Sequence, residues 1–432
     1  YKTTGTALYP VDAGYSRDAS DNIVGLAGNL SAIRRFEAPQ GSNIATKCQY
    51  GFMDTASMGV NRNYHVQTVT EAHFDAVRIG LFNSHAVDIT GVYAGVGVSA
   101  TLGADLSSTT VTMDTFVAAT WSAAASTTLP AGTAQAPTLT MSDWMPINSL
   151  DRTDGGSFPV VHIRTFTPSV NATTSKLSPS AAFDWMRDET LTGGRVYRCM
   201  LQDVANAVTT PANFTSTANA VRWYPMLFQY RARGVIRNLI VVGDSIISGV
   251  GAARYLESQW WKARAAMSPA GAGVPIEFAN LGWSGQTVAQ YKARLTALIS
   301  AGVIGKGHLV GYQTFSPNDG TPSQSTVNVL ASSTAQAIAE IQAADAVPLL
   351  QNGCPANFSS KAWGSADSFR QTFNAKYAAA PNIRQLDMRI LQAAATTNGG
   401  QYDFASGYTD DAIHPNDAAI NVLLPYAKTA IE

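Results

Sequence analysis

Residues 235–245 read Val-Ile-Arg-Asn-Leu-Ile-Val-Val-Gly-Asp-Ser. The near-continuous apolar run from Val235 to Val242 fits a strand covered on both faces, as parallel sheets require. Gly243-Asp244-Ser245 follows directly. It puts a hydroxyl at the carboxyl edge of such a sheet, where open α/β sheets place their sites. Downstream, Ile246 to Met267 has helical composition, with Tyr255, Leu256 and Trp260 on its buried side. Further strands are predicted at Ile276 to Leu281, Leu309 to Phe315, Val347 to Leu350 and Ile383 to Met388. Helices are predicted at Thr287 to Ser300, Thr326 to Ala343, Ser365 to Ala379 and Ala418 to Ile431. Strands alternating with helices at this spacing predict a three-layer α/β domain with a mostly parallel sheet over 231–432.

Upstream of Arg231 the pattern changes. Phe74, Val77, Ile79 and Leu81 include the alternating apolar positions of a half-buried strand. Val87 to Val98, Thr109 to Met113 and Val160 to Phe166 also read as short strands, separated by Gly, Thr, Asp and Pro clusters. Several short strands without a helical period predict an all-β sandwich or jelly-roll domain over 65–230. Ala181 to Met186 reads as a short helix or loop within it. Residues 1–64 are rich in Gly, Asn and Ser, with short apolar pieces such as Asn22 to Leu26. They form an irregular segment or a further part of the β domain.

The 432 residues carry 29 Lys+Arg and 30 Asp+Glu, and only 14% are charged, against a usual ~25%. That balance supplies no positive surface for nucleic acid. With 46% hydrophobic residues the chain can collapse rather than stay disordered. No run approaches the ~18 apolar residues of a membrane span. Hydroxyl and amide residues in place of charge suit a secreted, cell-surface or periplasmic protein, and are compatible with a phage-associated or cytoplasmic one. Tyr1 in place of Met fits a removed signal peptide or a shortened chain. Cys48, Cys199 and Cys354 form no CxxC pair and allow at most one disulfide. Asp151 and Asp154 do not match an EF-hand loop and read as a polar turn, so neither a metal nor a cofactor is implied. The sequons at Asn171 and Asn213 matter only in a glycosylating pathway.

Ser245 is a candidate nucleophile, or Asp244 and Ser245 simply cap the following helix. Serine needs an adjacent base to react. Of six histidines, only His414 has a carboxylate, Asp411, three residues before it in a polar loop near a helix start. A carboxylate there can orient the ring of a histidine base. The alternative for His414 is a solvated loop side chain. An acyl-transfer site also needs donors for a tetrahedral oxyanion. Gly285 and Asn318 each follow a predicted strand and offer a backbone N–H and a side-chain amide. Either is also compatible with an ordinary turn. Trp283, Tyr312, Phe315 and Trp363 lie near the same strand ends and are candidate walls of a substrate cleft, or core residues.

The four loops together resemble the SGNH hydrolases, also called the GDSL esterase/lipase family. Gly243-Asp244-Ser245 looks like the family's first block, which carries the nucleophile, with isoleucine next where many members have leucine. Asn280-Leu281-Gly282-Trp283-Ser284-Gly285-Gln286-Thr287 resembles the second block, whose oxyanion glycine matches Gly285. Ser316-Pro317-Asn318-Asp319 resembles the third, with serine where the family has glycine, a change expected to shift the Asn318 side chain slightly. Asp411-Ala412-Ile413-His414-Pro415 resembles the last, Asp-x-x-His. The resemblance covers about 235–432 and implies a serine esterase with the triad Ser245, His414 and Asp411. It also implies an oxyanion hole from Ser245, Gly285 and Asn318. A β-sandwich before such a domain is similar to the arrangement of several carbohydrate esterases, which suggests an acylated carbohydrate as partner and removal of O-acetyl groups. A short-chain carboxylesterase or lipase for other esters, or a non-catalytic glycan-binding surface protein, are the alternatives.

Overall fold

The computed structural model describes residues 42–49, 62–102, 113–133, 136–168, 198–203, 226–253, 257–267, 275–356, 363–378, 383–395 and 400–432. It also describes the short pieces 2–4, 7–9, 16–17, 23–25, 52–54, 174–176, 206, 208–209 and 222–223. The chain divides into two units. An α/β unit comprises Tyr1–Gln40, Leu239–Arg264 and Gly282–Glu432, and a β unit comprises Gly41–Asn238 and Ala265–Leu281. Both are assembled from separated segments, whereas the sequence divisions at 64/65 and 230/231 are contiguous.

Within the α/β unit, Leu239 to Val242 are fully buried at the end of the long strand Met226–Gly243. His308–Gln313 neighbours this strand in the sheet. Val347–Gln351 and then Arg384–Leu386 follow, each parallel to the one before. The strands His308–Gln313 and Val347–Gln351 are buried along their whole length, as strands covered on both faces are. The helices are Val288–Ser300, Gln324–Ala343, Asp367–Ala378 and Asp417–Ile431. On the first, Val288, Tyr291, Leu295 and Leu298 are buried, a spacing that gathers them on one stripe. Ser323 and Asn416 accept from the backbone N–H groups of Thr326 and Ala419, so each caps the helix that follows it.

The predicted helix from Ile246 to Met267 is two helices, Ser245–Ser248 and Gln259–Met267. Gly249 stops the first after one turn by taking the left-handed conformation (φ 84°), open to a residue without Cβ. Trp260 is buried; Tyr255 and Leu256 lie outside the described residues.

The β unit has an antiparallel sheet in the order Thr115–Ala118, Ile89–Ser99, Val160–Thr167, Arg62–Val69, Arg198–Asp203. A second set pairs Phe74–Asn83 antiparallel with Thr138–Met141 on one side and with the first half of Met226–Gly243 on the other. Ser42–Gln49 pairs antiparallel with that same half-strand and parallel with Ile276–Gly282. The deciding strand therefore begins at Met226, nine residues earlier than its apolar run suggests. Its pairing register shifts between Arg231 and Ala232, and burial lapses from Arg233 to Val235, which is 62% exposed.

Cys48 and Cys354 are buried free thiols. Thr109 to Thr112, Ala181 to Met186, the sequons at Asn171 and Asn213, and most of 1–64 lie outside the described residues. Among the described residues no helix is long and apolar enough to cross a membrane.

Candidate active site

Ser245 opens the one-turn helix, and Asp244 caps it by accepting the Ile246 N–H at 2.8 Å. The capping role that the sequence left open thus belongs to Asp244. The Ser245 hydroxyl lies 2.8 Å from Nε2 of His414. On the other side of that ring, Nδ1 lies 2.5 Å from Oδ2 of Asp411. The ring therefore spans from a carboxylate to a hydroxyl, with Nδ1–H donating to Asp411 and Nε2 free to accept from Ser245.

The Asp411–His414 turn is local and well specified. Asp411 Oδ1 accepts from the backbone N–H groups of Ile413 (2.9 Å) and His414 (2.8 Å). Ala412 takes a positive φ of 64° to close the turn. Burial works against the Asp411 charge, but hydrogen bonds from the His414 ring, the His414 N–H and the Ile413 N–H outweigh it. They hold the carboxyl below its ordinary value, so Asp411 stays ionised as a ring-orienting anion should. Gly251 lets this loop lie close to the nucleophile's turn. Its φ is 96°, and a Cβ there would come within 2.7 Å of His414 Cβ and 2.8 Å of the Pro415 carbonyl oxygen. Asp417 adds a second tie, accepting from the Ala253 N–H at 3.2 Å and from Lys262 at 2.7 Å.

The second and third loops are tied to the first. The Trp283 N–H donates to the Gly243 carbonyl at 3.0 Å. Asn318 Nδ2 donates to the Gln286 carbonyl at 3.1 Å, which places the amide against the residue after Gly285. Among the described residues, neither the Ser245 nor the Gly285 N–H has a protein acceptor. Buried backbone donors without a partner are uncommon, and Ser245 is buried. Gly285 is exposed and Asn318 half-buried, so both are open to an incoming group. The Ser245 N–H belongs to the residue whose hydroxyl faces its base, and a donor of this kind suits the transient anion of acyl transfer.

The four aromatic candidates sit elsewhere. Tyr312 is fully buried and packs edge-on against Tyr291 at 5.5 Å. Phe315, also fully buried, lies between Trp363 at 5.7 Å and Phe373 at 6.3 Å. Trp363 and Trp283 retain 6% and 5% exposure, and Arg294 lies over the Trp283 ring. These rings fill the unit's interior and offer no open face for stacking a substrate.

Sequence reasoning missed the buried polar residues that hold the loops. Gln313 Oε1 accepts the Asp244 N–H at 3.0 Å. Arg294 reaches the Gly243 carbonyl at 3.2 Å and also the Gln286 side chain. Ser316 contacts both Asp244 and Gln286. Its presence in place of the expected glycine was the one visible signal.

The chain matches no protein-family model and no curated protein. Among solved structures it is similar to a GDSL-like lipase from Bacteroides thetaiotaomicron, with 20% identity over 45% of this chain and 87% of that one and a TM-score of 0.33. A lipase from a goat rumen metagenome gives 15% identity over 46% of this chain and all of that one, with a TM-score of 0.36. A catalytic mutant of an acetylxylan esterase from Geobacillus stearothermophilus gives 15% identity over 45% and 94%, with a TM-score of 0.33. The chemistry of the site rests on its own geometry.

Proposed function

We propose that the chain is a serine-dependent carboxylic ester hydrolase that removes O-acetyl groups from a polysaccharide or oligosaccharide. The observation that carries this reading is the hydrogen-bonded line from Asp411 through the His414 ring to the Ser245 hydroxyl. Ser245 attacks the ester carbonyl while His414 takes its proton, and Asp411 holds the ring tautomer and balances the imidazolium. The Ser245 and Gly285 N–H groups and the Asn318 amide receive the oxyanion. His414 then protonates the leaving alcohol, and water, activated by the same ring, releases the acyl group.

The carbohydrate assignment has two supports. The rim of the site is polar, with exposed Gly285 and Asp411 and half-buried Asn318, and the neighbouring large rings are buried. Low charge and many hydroxyl side chains across the chain also suit contact with a neutral polyol. We read the antiparallel strands of the β unit as a sandwich of the jelly-roll class, in a secreted or cell-surface protein. Acetate release from several acetylated glycans, set against a p-nitrophenyl acyl-length series and with Ser245→Ala as the blank, tests the assignment. Preference for long acyl chains on a simple alcohol would replace it with a lipase-type activity, and absence of all turnover would leave a glycan-binding protein.

Two substitutions probe the parts separately. Asn318→Ala is expected to lower kcat about 10²-fold with a small change in KM, because its amide acts on charge present only in the transition state. A pure KM effect would contradict that role. Gly251→Ala is expected to lower kcat by about 10²-fold by displacing the His414 loop, since a misplacement of about 1 Å has that cost. Unchanged kinetics would show that the loop position does not matter to turnover.

A further inference from the structure

The third loop departs from the pattern it resembles by one residue, Ser316, and that hydroxyl lies at the centre of a buried network. Ser316 Oγ is 2.5 Å from Asp244 Oδ2 and 2.9 Å from the Gln286 carbonyl oxygen, in donor position towards both. It also accepts the Asn318 N–H at 3.1 Å. Ser316 and Asp244 are fully buried.

A hydroxyl has one hydrogen and two lone pairs. The Asn318 N–H takes one lone pair. If Asp244 were a carboxylate, the single Ser316 hydrogen would face two acceptors, and one close O···O contact would lack a hydrogen. If Asp244 carries a proton on Oδ2, every contact is satisfied. Asp244 then donates to Ser316, and Ser316 donates to the Gln286 carbonyl. That carbonyl spends its second lone pair on Asn318 Nδ2, while Asp244 Oδ1 accepts the Ile246 N–H.

We propose that Ser316 is a positioning residue for the oxyanion side of the site, linking a neutral Asp244 to the Gln286 carbonyl and fixing Asn318 from two directions. This rests on the esterase reading given above. A hydrogen-bond chain of this kind aims the Asn318 amide and keeps negative charge away from the residue next to the nucleophile. An anion there would oppose the charge that develops on the substrate oxygen. Among the groups facing Asp244, the charged and hydrogen-bonding ones favour the anion, and burial opposes them. From the Asp411–Pro415 loop comes His414, whose ring is already paired with Asp411. On the helix Val288–Ser300, Arg294 is engaged with the Gly243 carbonyl and Gln286. Burial pushes the Asp244 carboxyl above its ordinary value against the hydrogen bonds that favour ionisation.

Two measurements on the full chain test this. The infrared difference spectrum of wild type minus Asp244→Asn at neutral pH is expected to show the C=O band of a protonated carboxyl; a carboxylate band instead overturns the proposal. Ser316→Ala is expected to lower kcat for ester hydrolysis about tenfold, with KM within about twofold. Wild-type kcat in that variant overturns the positioning role. If the wild type hydrolyses no ester at all, the esterase reading and the role resting on it fail together, while the infrared band still decides the state of Asp244. If Ser316→Ala does not fold, Ser316→Gly is expected to show the same kcat loss, and wild-type kcat in it counts against the role.

Discussion

Ser245→Ala is expected to reduce kcat by about 10⁴-fold or more while leaving the thermal unfolding midpoint within a degree or two of wild type. In comparable sites, loss of the nucleophile removes the covalent route and leaves only what the oxyanion donors and binding provide. The fold should be indifferent, because the Ser245 hydroxyl caps nothing: Asp244 holds the helix start, accepting the Ile246 N–H. Ser245 is also small and 5% exposed, so its truncation opens no sizeable cavity. Steady-state hydrolysis of an acetylated glycan and covalent labelling by a serine-directed phosphonate are the two readouts. Labelling should vanish in the variant and should also drop in His414→Ala, which leaves the hydroxyl without its base at 2.8 Å. Residual turnover near the wild-type rate would remove the mechanism.

The largest expected stability effect lies in the β unit, where a buried polar chain has no part in the proposed chemistry. Arg164 Nε donates to His65 Nδ1 at 3.0 Å, which leaves the His65 hydrogen on Nε2. That nitrogen faces His162 Nδ1 at 3.0 Å, so the His162 hydrogen lies on Nε2, 2.7 Å from Ser99 Oγ. Ser99 donates onward to the Thr101 carbonyl at 2.8 Å. Every ring nitrogen of the two histidines is used, and a further proton would set donor against donor. Burial, then the Arg164 charge, lower His162 from 6.5 to about 3. Burial, then His162 and Arg164, hold His65 well below its ordinary value. Both folded pKa values lie below the unfolded one, so below pH ~6.5 the unfolded chain binds more protons and stability falls with pH. For His162 alone the loss is on the order of 3 kcal/mol between pH 6.5 and 4, at about 1.4 kcal/mol per pH unit. Denaturant midpoints measured across that window should fall steeply in wild type. The slope should be shallower in His162→Gln, which is less stable at neutral pH. Equal midpoints at pH 7 and pH 4 would show that the chain is not neutral.

Legibility differed between parts of the molecule for physical reasons. The parallel strands could be read because they are buried on both faces and so are apolar without interruption, as in Leu309 to Tyr312. The length of Met226–Gly243 could not. Its first half alternates with the demands of two antiparallel partners, and Gln229 and Arg231 break the apolar pattern. The helix break at Gly249 was visible only as a glycine in a helical stretch, a weak signal without its φ. At the candidate site, the Ser245, His414 and Asp411 line was legible because its chemistry restricts residue type. Gln286, Gln313, Arg294 and Ser316 were not, since buried hydrogen bonding can be met by many polar side chains. The aromatic rings near the strand ends misled for the same reason: a large apolar surface suits an interior as well as a cleft.

The interleaving of the two units has a consequence for synthesis of the chain. Its path passes between them four times, at 40/41, 238/239, 264/265 and 281/282. Neither unit can be released by one cut or completed by one uninterrupted stretch of translation. A nascent chain that has emerged as far as Asn238 still lacks Ala265–Leu281, which carries most of the strand beside Ser42–Gln49. That edge stays unpaired on the ribosome until later residues arrive, an exposure to misassembly that a chain of contiguous modules avoids.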